Sequence, residues 1–472
     1  MPMPEAQLLA ESPRCSMVAA AGCGKTHVIA EAVARHANGR QLVLTHTHSG
    51  VDALRARLRR LGGDSSHSLI DTIAAWSFRL AAHFPRTSGV VEPAPADDEG
   101  WNGVYAAATA LVGRPPIREM LRASYAGMYV DEYQDCSRAQ HDCIVALSEV
   151  LPCRVLGDPL QGIFEFREPN PTFWHDQVEP RFQPIPGPVE PRRWETTNPE
   201  LGTWLQAARR QLERNQPVDL RGSPARWLQV SGPRNRMTEE LRACRAFAGS
   251  GDETVVAILK WRNQAHSLAQ RLNGIYSCIE PVESLDLFQY AAEIHAARGP
   301  QRAAKVLEFA GICMTQVRTQ LGSIATAFEA GREPGIRVRL HPVQREALLR
   351  VSREDSIEPV LVALDRLAEL RGAIVYRREL FYEMRSTLRA AANRQDEALV
   401  DIAREVRRRT RIRGRRFPLR AVGTTLLVKG LEFDHVVVLG PEQFDAKHLY
   451  VALTRGRRSL TVVSSNPVLT PA

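Results

Sequence analysis

The chain has 472 residues, of which 44% are hydrophobic and 24% are charged. This length and composition are typical of a globular protein with two to four domains and sizeable cores. Lysine and arginine together number 62 against 53 acidic residues, which gives a net charge of +9. A basic chain suits a nucleic-acid partner, because Lys and Arg neutralise backbone phosphates. The arginine runs could equally form a solvated face.

The eight cysteines are scattered along the chain and never occur as a C-x-x-C pair. That pattern argues against a zinc site or an iron–sulfur cluster and is typical of a reducing compartment. The amino-terminal stretch "MPMPEAQLLAESPR" lacks the basic start and the apolar run of a signal peptide. No stretch approaches the roughly 18 uninterrupted apolar residues that a membrane span needs. We therefore expect a cytoplasmic protein with no membrane partner.

The first 190 residues alternate short apolar runs with helical patterns. Candidate strands are "CSMVAA", "QLVLTHT", "GMYVDE" and "CRVLGDP", and each runs into a polar or glycine-containing turn. Strand–helix alternation predicts a parallel sheet with helices on both faces and ligands at the carboxyl ends of the strands. Residues 1–84 and 119–190 are thus predicted to form a first α/β domain. The Pro-, Gly- and acid-rich region 85–118 predicts a short inserted subdomain.

The proline-rich stretch "QPIPGPVEPRR" predicts extended backbone and marks a break after the first domain. Beyond it, candidate strands return in "ETVVAIL", "LRAVGT", "HVVVLG" and "SLTVVSS". Apolar residues three and four apart indicate that residues 283–410 are almost wholly helical. The sequence therefore predicts a second α/β domain, residues 191–282 and 411–472, which is interrupted by a helical insertion of residues 283–410.

Residues 19–26 read "AAAGCGKT" and lie between a candidate strand and a helical pattern. A phosphate-binding loop turns tightly so that its backbone N–H groups face phosphate oxygens, and Gly22 and Gly24 permit that backbone. Lys25 would neutralise the β and γ phosphates, and Thr26 would offer its hydroxyl to Mg²⁺. The loop predicts a nucleotide site.

Two further positions of this loop, Ala19 and Cys23, carry small side chains. Ala19 stands where the general pattern has glycine, but the position needs only a small residue. Cys23 is interpreted as a small spacer in the loop and not as a reactive thiol. Chance matches to G-K-T are common, so the loop alone does not decide the function.

The segment "MYVDEYQD", residues 128–135, is an apolar strand that ends in two adjacent carboxylates. Asp131 would hold Mg²⁺ and Glu132 would polarise the attacking water. Two solvated acids at a strand end are common in isolation. After a P-loop at this distance, they indicate an ATPase.

The segment "VDEYQD" resembles motif II of superfamily 1 helicases of the UvrD/Rep/PcrA type. Segments similar to the rest of that motif set follow in the family's order: residues 43–58 (motif Ia), 70–81 (Ib), 155–167 (III), 191–205 (IV), 422–440 (V) and 448–463 (VI). The resemblance implies two RecA-like P-loop domains with parallel sheets and small helical insertions in each.

The resemblance also assigns roles to residues. It implies ATP binding by Gln7, Gly22, Cys23, Gly24, Lys25, Thr26, Gly430 and Glu432, with Gln7 at the position that recognises adenine. It implies catalytic roles for Lys25, Glu132, Gln161, Arg193 and Arg455, and Mg²⁺ ligands in Thr26 and Asp131. It implies DNA contacts by Thr45, His46, Thr47, Phe164, Phe166, Arg167, Trp261 and Arg262.

The implied activity is that of an ATP-dependent DNA helicase or translocase that uses ATP and Mg²⁺ and moves 3′ to 5′ on single-stranded or partly duplex DNA. Arg193 and Arg455 on the second domain would meet a γ-phosphate that is bound to the first domain. Hydrolysis would remove that bridge and reopen the cleft, so the two domains would ratchet along the strand.

Three positions depart from the family pattern. Arg192 replaces the aromatic residue that usually precedes the motif IV arginine, with Trp194 on the other side. His46 and His48 replace the usual aromatic residue and asparagine of motif Ia. Adenine could therefore stack on the guanidinium group of Arg192. How strongly motif Ia would bind the DNA strand is left open.

The compact layout resembles the helicase subunit of the Gabija antiphage system, which works beside a nuclease of the OLD type. An alternative of another class is a DNA-sensing ATPase subunit that regulates a partner nuclease without robust unwinding. A third, a P-loop kinase or other small-molecule NTPase, is disfavoured by motifs III to VI. The first two hypotheses share every motif, and the sequence leaves both open.

Overall fold

The structure is a computed structural model that describes residues 3–91, 95, 98–164, 173–281, 284–335, 341–394, 396–413 and 417–472. Two of the predicted DNA contacts, Phe166 and Arg167, lie outside the described residues. In the part of the chain that the structure describes, no helix has both the length and the apolar composition needed to cross a membrane.

The elements up to residue 185 surround one sheet, and we call them the first domain. Its strands are β1 Arg14–Val18, β2 Gln41–Thr45, β3 Ser68–Thr72, β4 Gly127–Val130, β5 Cys153–Gly157 and β6 Gln183–Ile185. Its helices are α1 Glu5–Glu11, α2 Lys25–Glu31, α3 His48–Arg60, α4 Ile73–His83, α5 Pro85–Ser88, α6 Asp98–Val112, α7 Pro115–Ser124 and α8 Arg138–Ser148.

The first sheet has the order β3-β2-β4-β5-β1-β6, and all its strands run parallel. Its central strands are apolar on both faces because helices cover both faces. The sequence predicted β1, β2, β4 and β5, whereas β3 and the edge strand β6 were not predicted. The carboxyl ends of β1, β2, β4 and β5 meet at one edge, which brings the P-loop, His46, Asp131 and Asp158 to the same side of the sheet.

The region predicted as a small inserted subdomain packs onto the first domain. Helix α6 lies against α4 and α8, and Tyr105, Ala108 and Leu111 share a core with the strands β2, β4 and β5. Ile117 and Leu121 of α7 join the same core. Residues 98–124 are thus a helical layer of the first domain in this structure.

The elements around the other large sheet form the second domain. Its strands are β7 Val218–Asp219, β8 Arg226–Gln229, β9 Val255–Leu259, β10 Ser277–Cys278, β11 Arg420–Thr424, β12 Phe433–Leu439, β13 Gly456–Ser464 and β14 Val468–Leu469. Its helices are α9 Pro199–Glu213, α10 Pro233–Arg245 and α11 Arg262–Arg271, and, after the insertion described next, α19 Thr425–Val428 and α20 Ala446–Leu453.

The second sheet has the order β10-β11-β9-β12-β13-β8 and is also parallel throughout. The strands β7 and β14 form a separate antiparallel pair. Two parallel six-stranded sheets with many helices are consistent with two RecA-like domains. The predicted α/β fold class is confirmed.

A helical insertion separates β10 from β11. It comprises α12 Leu285–Ala296, α13 Gly299–Cys313, α14 Val317–Glu329, α15 Pro342–Arg353, α16 Glu358–Ala368, α17 Arg378–Ala391 and α18 Leu399–Arg413. These helices share an apolar core of their own, which includes Phe309, Phe328 and Phe381. Because its core is separate, the insertion is a distinct packing unit joined to the second domain.

A buried ion-pair network fixes the insertion to the second domain. Arg377, whose side chain is 2% exposed, donates to both carboxylate oxygens of Glu280 at 2.7 and 2.5 Å. It also donates to Asp286 at 2.6 Å, and Arg262 of α11 donates to the same Asp286 at 2.7 Å. This network joins the start of the insertion, its last third and α11 of the second domain.

A second buried arginine clamps the same junction from α18. Arg407 forms ion pairs with Glu379 at 2.7 Å and with Glu383, and donates to the carbonyl of Pro281 at 2.8 Å. Pro281 lies in the connection that leads from β10 into α12. The two connections between the second domain and the insertion are thus tied to each other.

We expect Arg377→Leu to lower the free energy of unfolding by about 3–5 kcal/mol, because the buried Glu280 carboxylate loses the guanidinium that donates to both of its oxygens. Denaturation followed by tryptophan fluorescence measures the loss. The neighbouring Arg378 is exposed, so Arg378→Leu is the matched control and should change stability little. A double variant that also carries Glu280→Leu should recover part of the loss, and equal losses in the Arg377 and Arg378 variants would contradict a role for the buried pair.

Candidate functional site: the interface between the P-loop and the second domain

The loop between β1 and α2 has the backbone of a phosphate-binding loop. Gly22 and Gly24 have φ angles of 75° and 91°, a left-handed conformation that residues with a β-carbon rarely adopt. Gly24 is the N-cap of α2, so the free N–H groups of the first helical turn begin at the loop. Lys25 is buried, and its Nζ donates to the carbonyl of Ala19 at 3.1 Å. Within the described residues this amino group has no ion-pair partner, so its charge is available to a phosphate.

Asp131 and Glu132 follow β4 at the same edge of the sheet. The Oδ2 atom of Asp131 accepts from the Thr26 hydroxyl at 3.1 Å, and its Oδ1 atom accepts from the backbone N–H of Glu132 at 2.9 Å. Glu132 has a φ angle of 55°. Such backbone costs a non-glycine residue about 1–3 kcal/mol and persists where the surroundings impose it. The strain fixes the direction in which the Glu132 side chain leaves the strand end.

The two acids experience opposite electrostatic effects. Burial, together with the neighbouring charge of Glu132, raises the pKa of Asp131. Burial also opposes ionisation of Glu132, but the charges of Lys25 and Lys429 outweigh it and lower the pKa of that carboxyl. A buried pair of adjacent carboxylates needs a compensating cation. The Asp131 carboxylate and the Thr26 hydroxyl are hard oxygen donors in direct contact, and this donor set fits Mg²⁺.

Gln134 orients Glu132, a role that the sequence analysis did not assign. Its Nε2 atom donates to Glu132 Oε2 at 2.6 Å, and its Oε1 atom accepts from the backbone N–H of Asp158 at 2.9 Å. The amide therefore links the ends of β4 and β5. The position of Gln134 inside the segment "VDEYQD" is the sequence signal that could have indicated this role.

Arg193 lies directly against the P-loop. Its backbone N–H donates to the carbonyl of Gly22 at 3.0 Å. Its guanidinium donates to the carbonyl of Thr454 at 2.6 Å and forms an ion pair with Glu432 at 2.7 Å. The predicted motif IV, V and VI residues thus converge beside the predicted phosphate site.

Arg455 and Gln161 meet across the interface of the two domains. Arg455 is 1% exposed, and its Nη2 atom donates to Gln161 Oε1 at 3.1 Å. Burial and the nearby charge of Arg193 lower the pKa of Arg455 to about 10, which still leaves it charged at neutral pH. The structure therefore brings Arg193, Arg455 and Gln161 together as the motif assignment implied.

Lys429 is a further cross-domain cation that sequence reasoning missed. Its Nζ forms an ion pair with Asp135 and donates to the carbonyl of Gln161. The same atom lies 4.8 Å from the centre of the Phe164 ring, within cation–π range. Lys429 belongs to the segment "VKGLEF", whose neighbours Gly430 and Glu432 were assigned, so the signal was adjacent.

Trp194 packs against the P-loop and is buried. A β-carbon added to Gly22 would lie 2.5 Å from the Trp194 ring, and the indole N–H donates to the carbonyl of Gly456 at 2.6 Å. Arg192 is exposed, and its Cδ would lie 3.6 Å from a β-carbon at Gly24. Of the two residues that flank Arg193, Arg192 is therefore the one that is open to a nucleotide base.

The remaining predicted ATP ligands lie around this centre. Gln7 is on α1, and its side chain donates to Glu11 at 2.8 Å. Cys23 is buried, and burial raises the pKa of its thiol, which agrees with a spacer in the loop. Gly430 has a φ angle of 76° and open space around its α-carbon, and Glu432 is held by Arg193. Their contact with ATP stays a prediction.

The predicted DNA contacts in motif Ia follow β2. Thr45 is buried, and Thr47 caps α3 by accepting from the backbone N–H of Gly50 at 3.1 Å. The Nε2 atom of His46 lies 3.4 Å from the sulfur of Cys136, and burial together with the charge of Lys429 lowers the pKa of His46 to about 4. His46 is therefore neutral at physiological pH and faces the motif II segment.

The other predicted DNA contacts are spread over both domains. Phe164 is half-buried beneath Lys429. Trp261 is 55% exposed at the start of α11, with Lys260 near its ring, and it is free to stack on a base. Arg262 is bound by Asp286 in the junction network. Phe166 and Arg167 lie outside the described residues, and DNA contact by the whole set stays a prediction.

Comparison with known protein families places one segment of the chain. Residues 102–180 match the family model described as the UvrD/REP helicase N-terminal domain. This segment resembles a UvrD-like helicase. It contains Asp131, Glu132 and Gln161 and ends before Arg193, and it supports an ATPase of the superfamily 1 helicase type that binds DNA. No curated protein matches the chain.

We expect Gly22→Ala to destabilise the protein more than Gly62→Ala. Both glycines have left-handed φ angles, but a β-carbon at Gly22 meets the Trp194 ring whereas one at Gly62 meets open space. Backbone strain should lower the free energy of unfolding of the Gly62→Ala control by about 1–2 kcal/mol. Gly22→Ala should lose about 1–3 kcal/mol more because of overpacking. Chemical denaturation compares the two variants, and equal losses would contradict tight packing of Trp194 on the P-loop.

Proposed function

We propose that the chain is an ATP-dependent helicase or translocase that moves 3′ to 5′ on single-stranded DNA. One observation carries the proposal: cationic side chains of the second domain, Arg455 and Lys429, contact Gln161 and Asp135 of the first domain beside the P-loop. A γ-phosphate at this interface adds negative charge between the two domains. Binding and hydrolysis would therefore change how strongly the domains attract each other.

The first domain would hold ATP and orient water. The loop glycines, the first turn of α2 and Lys25 would bind the phosphates, and Thr26 with Asp131 would hold Mg²⁺. When bound, Mg²⁺ neutralises the phosphate oxygens and so favours phosphoryl transfer. Glu132, fixed by its strained backbone and by Gln134, would accept a hydrogen bond from the attacking water and polarise it.

The second domain would stabilise the charge that develops on the transferred phosphoryl group. The backbone N–H of Arg193 donates to the carbonyl of Gly22, and the guanidinium of Arg455 donates to the side-chain oxygen of Gln161. Guanidinium groups in such positions favour the transition state because they present fixed donors where negative charge accumulates. Gln161, between Arg455 and the end of β5, would sense whether the γ-phosphate is present.

A strand of DNA would connect to this site through Phe164. Its ring contacts Lys429, and Lys429 also holds the carbonyl of Gln161. Base stacking on Phe164 and on the exposed Trp261 would supply roughly 1–3 kcal/mol for each base. The net charge of +9 favours the phosphate backbone.

We propose a place in antiphage defence, beside a nuclease of the OLD type that would supply the cleavage. In the alternative, the chain senses DNA and regulates such a nuclease with little unwinding. The packing of residues 98–124 into the first-domain core supports that alternative, since this segment then does not form a separate subdomain that could engage a duplex.

The test is ATP turnover with and without single-stranded DNA, followed by displacement of a labelled strand from duplexes with a 3′ or a 5′ tail. We expect turnover that DNA stimulates, a stimulation that falls as salt rises, and displacement from the 3′-tailed duplex. Turnover indifferent to DNA at low salt would contradict a DNA motor. DNA-stimulated turnover without displacement, alone and with the nuclease added, would favour the sensing function.

We expect Lys25→Ala and Glu132→Gln each to abolish ATP hydrolysis while the fold stays intact, which far-ultraviolet circular dichroism checks. The first variant removes the counter-charge of the phosphates, and the second removes the base that polarises water. Glu119 is exposed on α7, so Glu119→Gln is the control and should hydrolyse ATP normally. Normal turnover in Glu132→Gln would show that another residue polarises the water.

We expect Arg193→Ala and Arg455→Ala each to lower ATP turnover by on the order of 10³–10⁵, the contribution of arginine fingers in related chemistry. ADP affinity should change little, because ADP lacks the phosphate that these arginines would meet. Lysine should rescue poorly, because an ammonium group cannot reproduce the planar fork. ATPase rates and ADP titrations measure both effects; if Arg193→Ala hydrolyses ATP normally, Arg192 becomes the candidate.

A further inference from the structure

The carboxylate of Asp158, directly after β5, is fully buried at the interface of the two domains. Its Oδ2 atom accepts from Gln161 Nε2 at 2.7 Å, and its Oδ1 atom accepts from the backbone N–H of Leu160 at 3.3 Å. A buried carboxylate persists only where cationic or polar partners compensate its lost hydration. Its charged partner comes from the other domain.

That partner is Arg209 on α9, whose side chain is 11% exposed. Its Nη1 atom donates to Asp158 Oδ1 at 2.7 Å and to the hydroxyl of Tyr450 at 2.9 Å. Its Nε atom forms an ion pair with Glu213, one helical turn further along α9. Since α9 packs on the second sheet through Leu205 and its neighbours, this arginine reaches across the domain interface.

Tyr450 on α20 extends the same network to the P-loop. Its hydroxyl accepts from the backbone N–H of Ala21 at 2.9 Å, and the guanidinium of Arg209 lies 5.3 Å from the centre of its ring. One guanidinium therefore holds the end of β5 directly and the P-loop through one tyrosine. The motif comparison assigned no role to Arg209, Asp158 or Tyr450.

The network also fixes the orientation of the Gln161 amide. Asp158 only accepts hydrogen bonds and Arg455 only donates them, so Nε2 of Gln161 must face Asp158 and Oε1 must face Arg455. Without a fixed Asp158 carboxylate, the amide could rotate and lose the contact with Arg455.

We propose that Arg209 is a positioning residue for ATP hydrolysis, which it supports by holding Asp158 and, through it, the side-chain amide of Gln161. The inference rests on the proposed ATPase function and deepens it. Arg209 acts on the reaction through Asp158 and Gln161, whereas Arg193 and Arg455 are proposed to contact the γ-phosphate directly.

The experiment is a double-mutant cycle on ATP turnover with Arg209→Met, Gln161→Ala and the double variant. We expect Arg209→Met to lower kcat at least about 30-fold while KM for ATP changes less than about threefold, because orientation and not binding is lost. In the Gln161→Ala background the same substitution should have little further effect, since residues that act through one another are not additive. Arg209→Lys should recover much of kcat, because one ammonium can donate to both Asp158 and Tyr450.

One further variant and the assay temperature separate positioning from stability. Arg210 is the exposed neighbour on α9, and Arg210→Met should leave kcat unchanged. If Arg209→Met melts below the assay temperature, the whole cycle is measured at a lower temperature at which all its variants are folded. Additive losses, or full kcat in a folded Arg209→Met variant, overturn the positioning role while the ATPase function stands. Absence of turnover in the unchanged protein overturns both.

Discussion

The rest of the structure depends on the compensation of buried negative charge at the carboxyl ends of β4 and β5. Three of the acids, Asp131, Glu132 and Asp135, follow β4, and Asp158 directly follows the neighbouring strand β5. Burial raises the pKa of Asp131 and Asp135. On the first domain, the charge of Lys25 favours ionisation of Glu132 and so lowers the pKa of that carboxyl.

The second domain supplies the other cations. Lys429 pairs with Asp135, Arg209 pairs with Asp158, and Arg455 contacts Gln161. Charge at one small interface therefore contributes to the attraction between the two domains. A nucleotide with a γ-phosphate adds negative charge there and Mg²⁺ removes some, so the chemistry of one ligand acts directly on the contact between two large bodies.

This interface is not uniform. Apolar contacts lie beside the polar ones, because Ala21, Leu160 and Trp194 join the apolar core of the second domain. The helical insertion is joined to the second domain through the buried Arg377 and Arg407, and we infer that the two move together.

Much of the fold could be predicted from the sequence, because the strands of a parallel sheet covered on both faces read as apolar runs that end in glycine or acidic residues. The sequence identified β4 and β5 from "GMYVDE" and "CRVLGDP" in this way. It missed β6, since the proline in "QPI" predicts irregular extended backbone, although an edge strand tolerates proline. Residues 85–118 were predicted as a short inserted subdomain, and the sequence alone could not show that the apolar side of α6 packs into the core of the first domain.

The candidate site was predictable where chemistry requires a fixed residue type at a fixed spacing, as in the P-loop and "VDEYQD". The roles of Lys429, Arg209 and Tyr450 were not predicted because their partners are distant along the chain, from 51 residues for Arg209 and Asp158 to 429 residues for Tyr450 and Ala21. A buried arginine and a surface arginine look the same in sequence, and this chain has many arginines. Arg262 was predicted to contact DNA, and the sequence could not show its ion pair with Asp286, which belongs to the insertion.

The most direct test of the account is the distance between the two domains in different nucleotide states. All eight native cysteines are buried, so labels can be attached to new cysteines at exposed positions, Ala123→Cys on α7 and Arg271→Cys on α11. Pulsed electron–electron double resonance would measure the distance between the two labels in two states. One state has a saturating non-hydrolysable ATP analogue with Mg²⁺, and the other has ADP. The account predicts a distance distribution that is distinct and narrower with the analogue, since the γ-phosphate joins both domains. Identical distributions in the two states, with binding of both nucleotides verified, would contradict a cleft governed by the γ-phosphate.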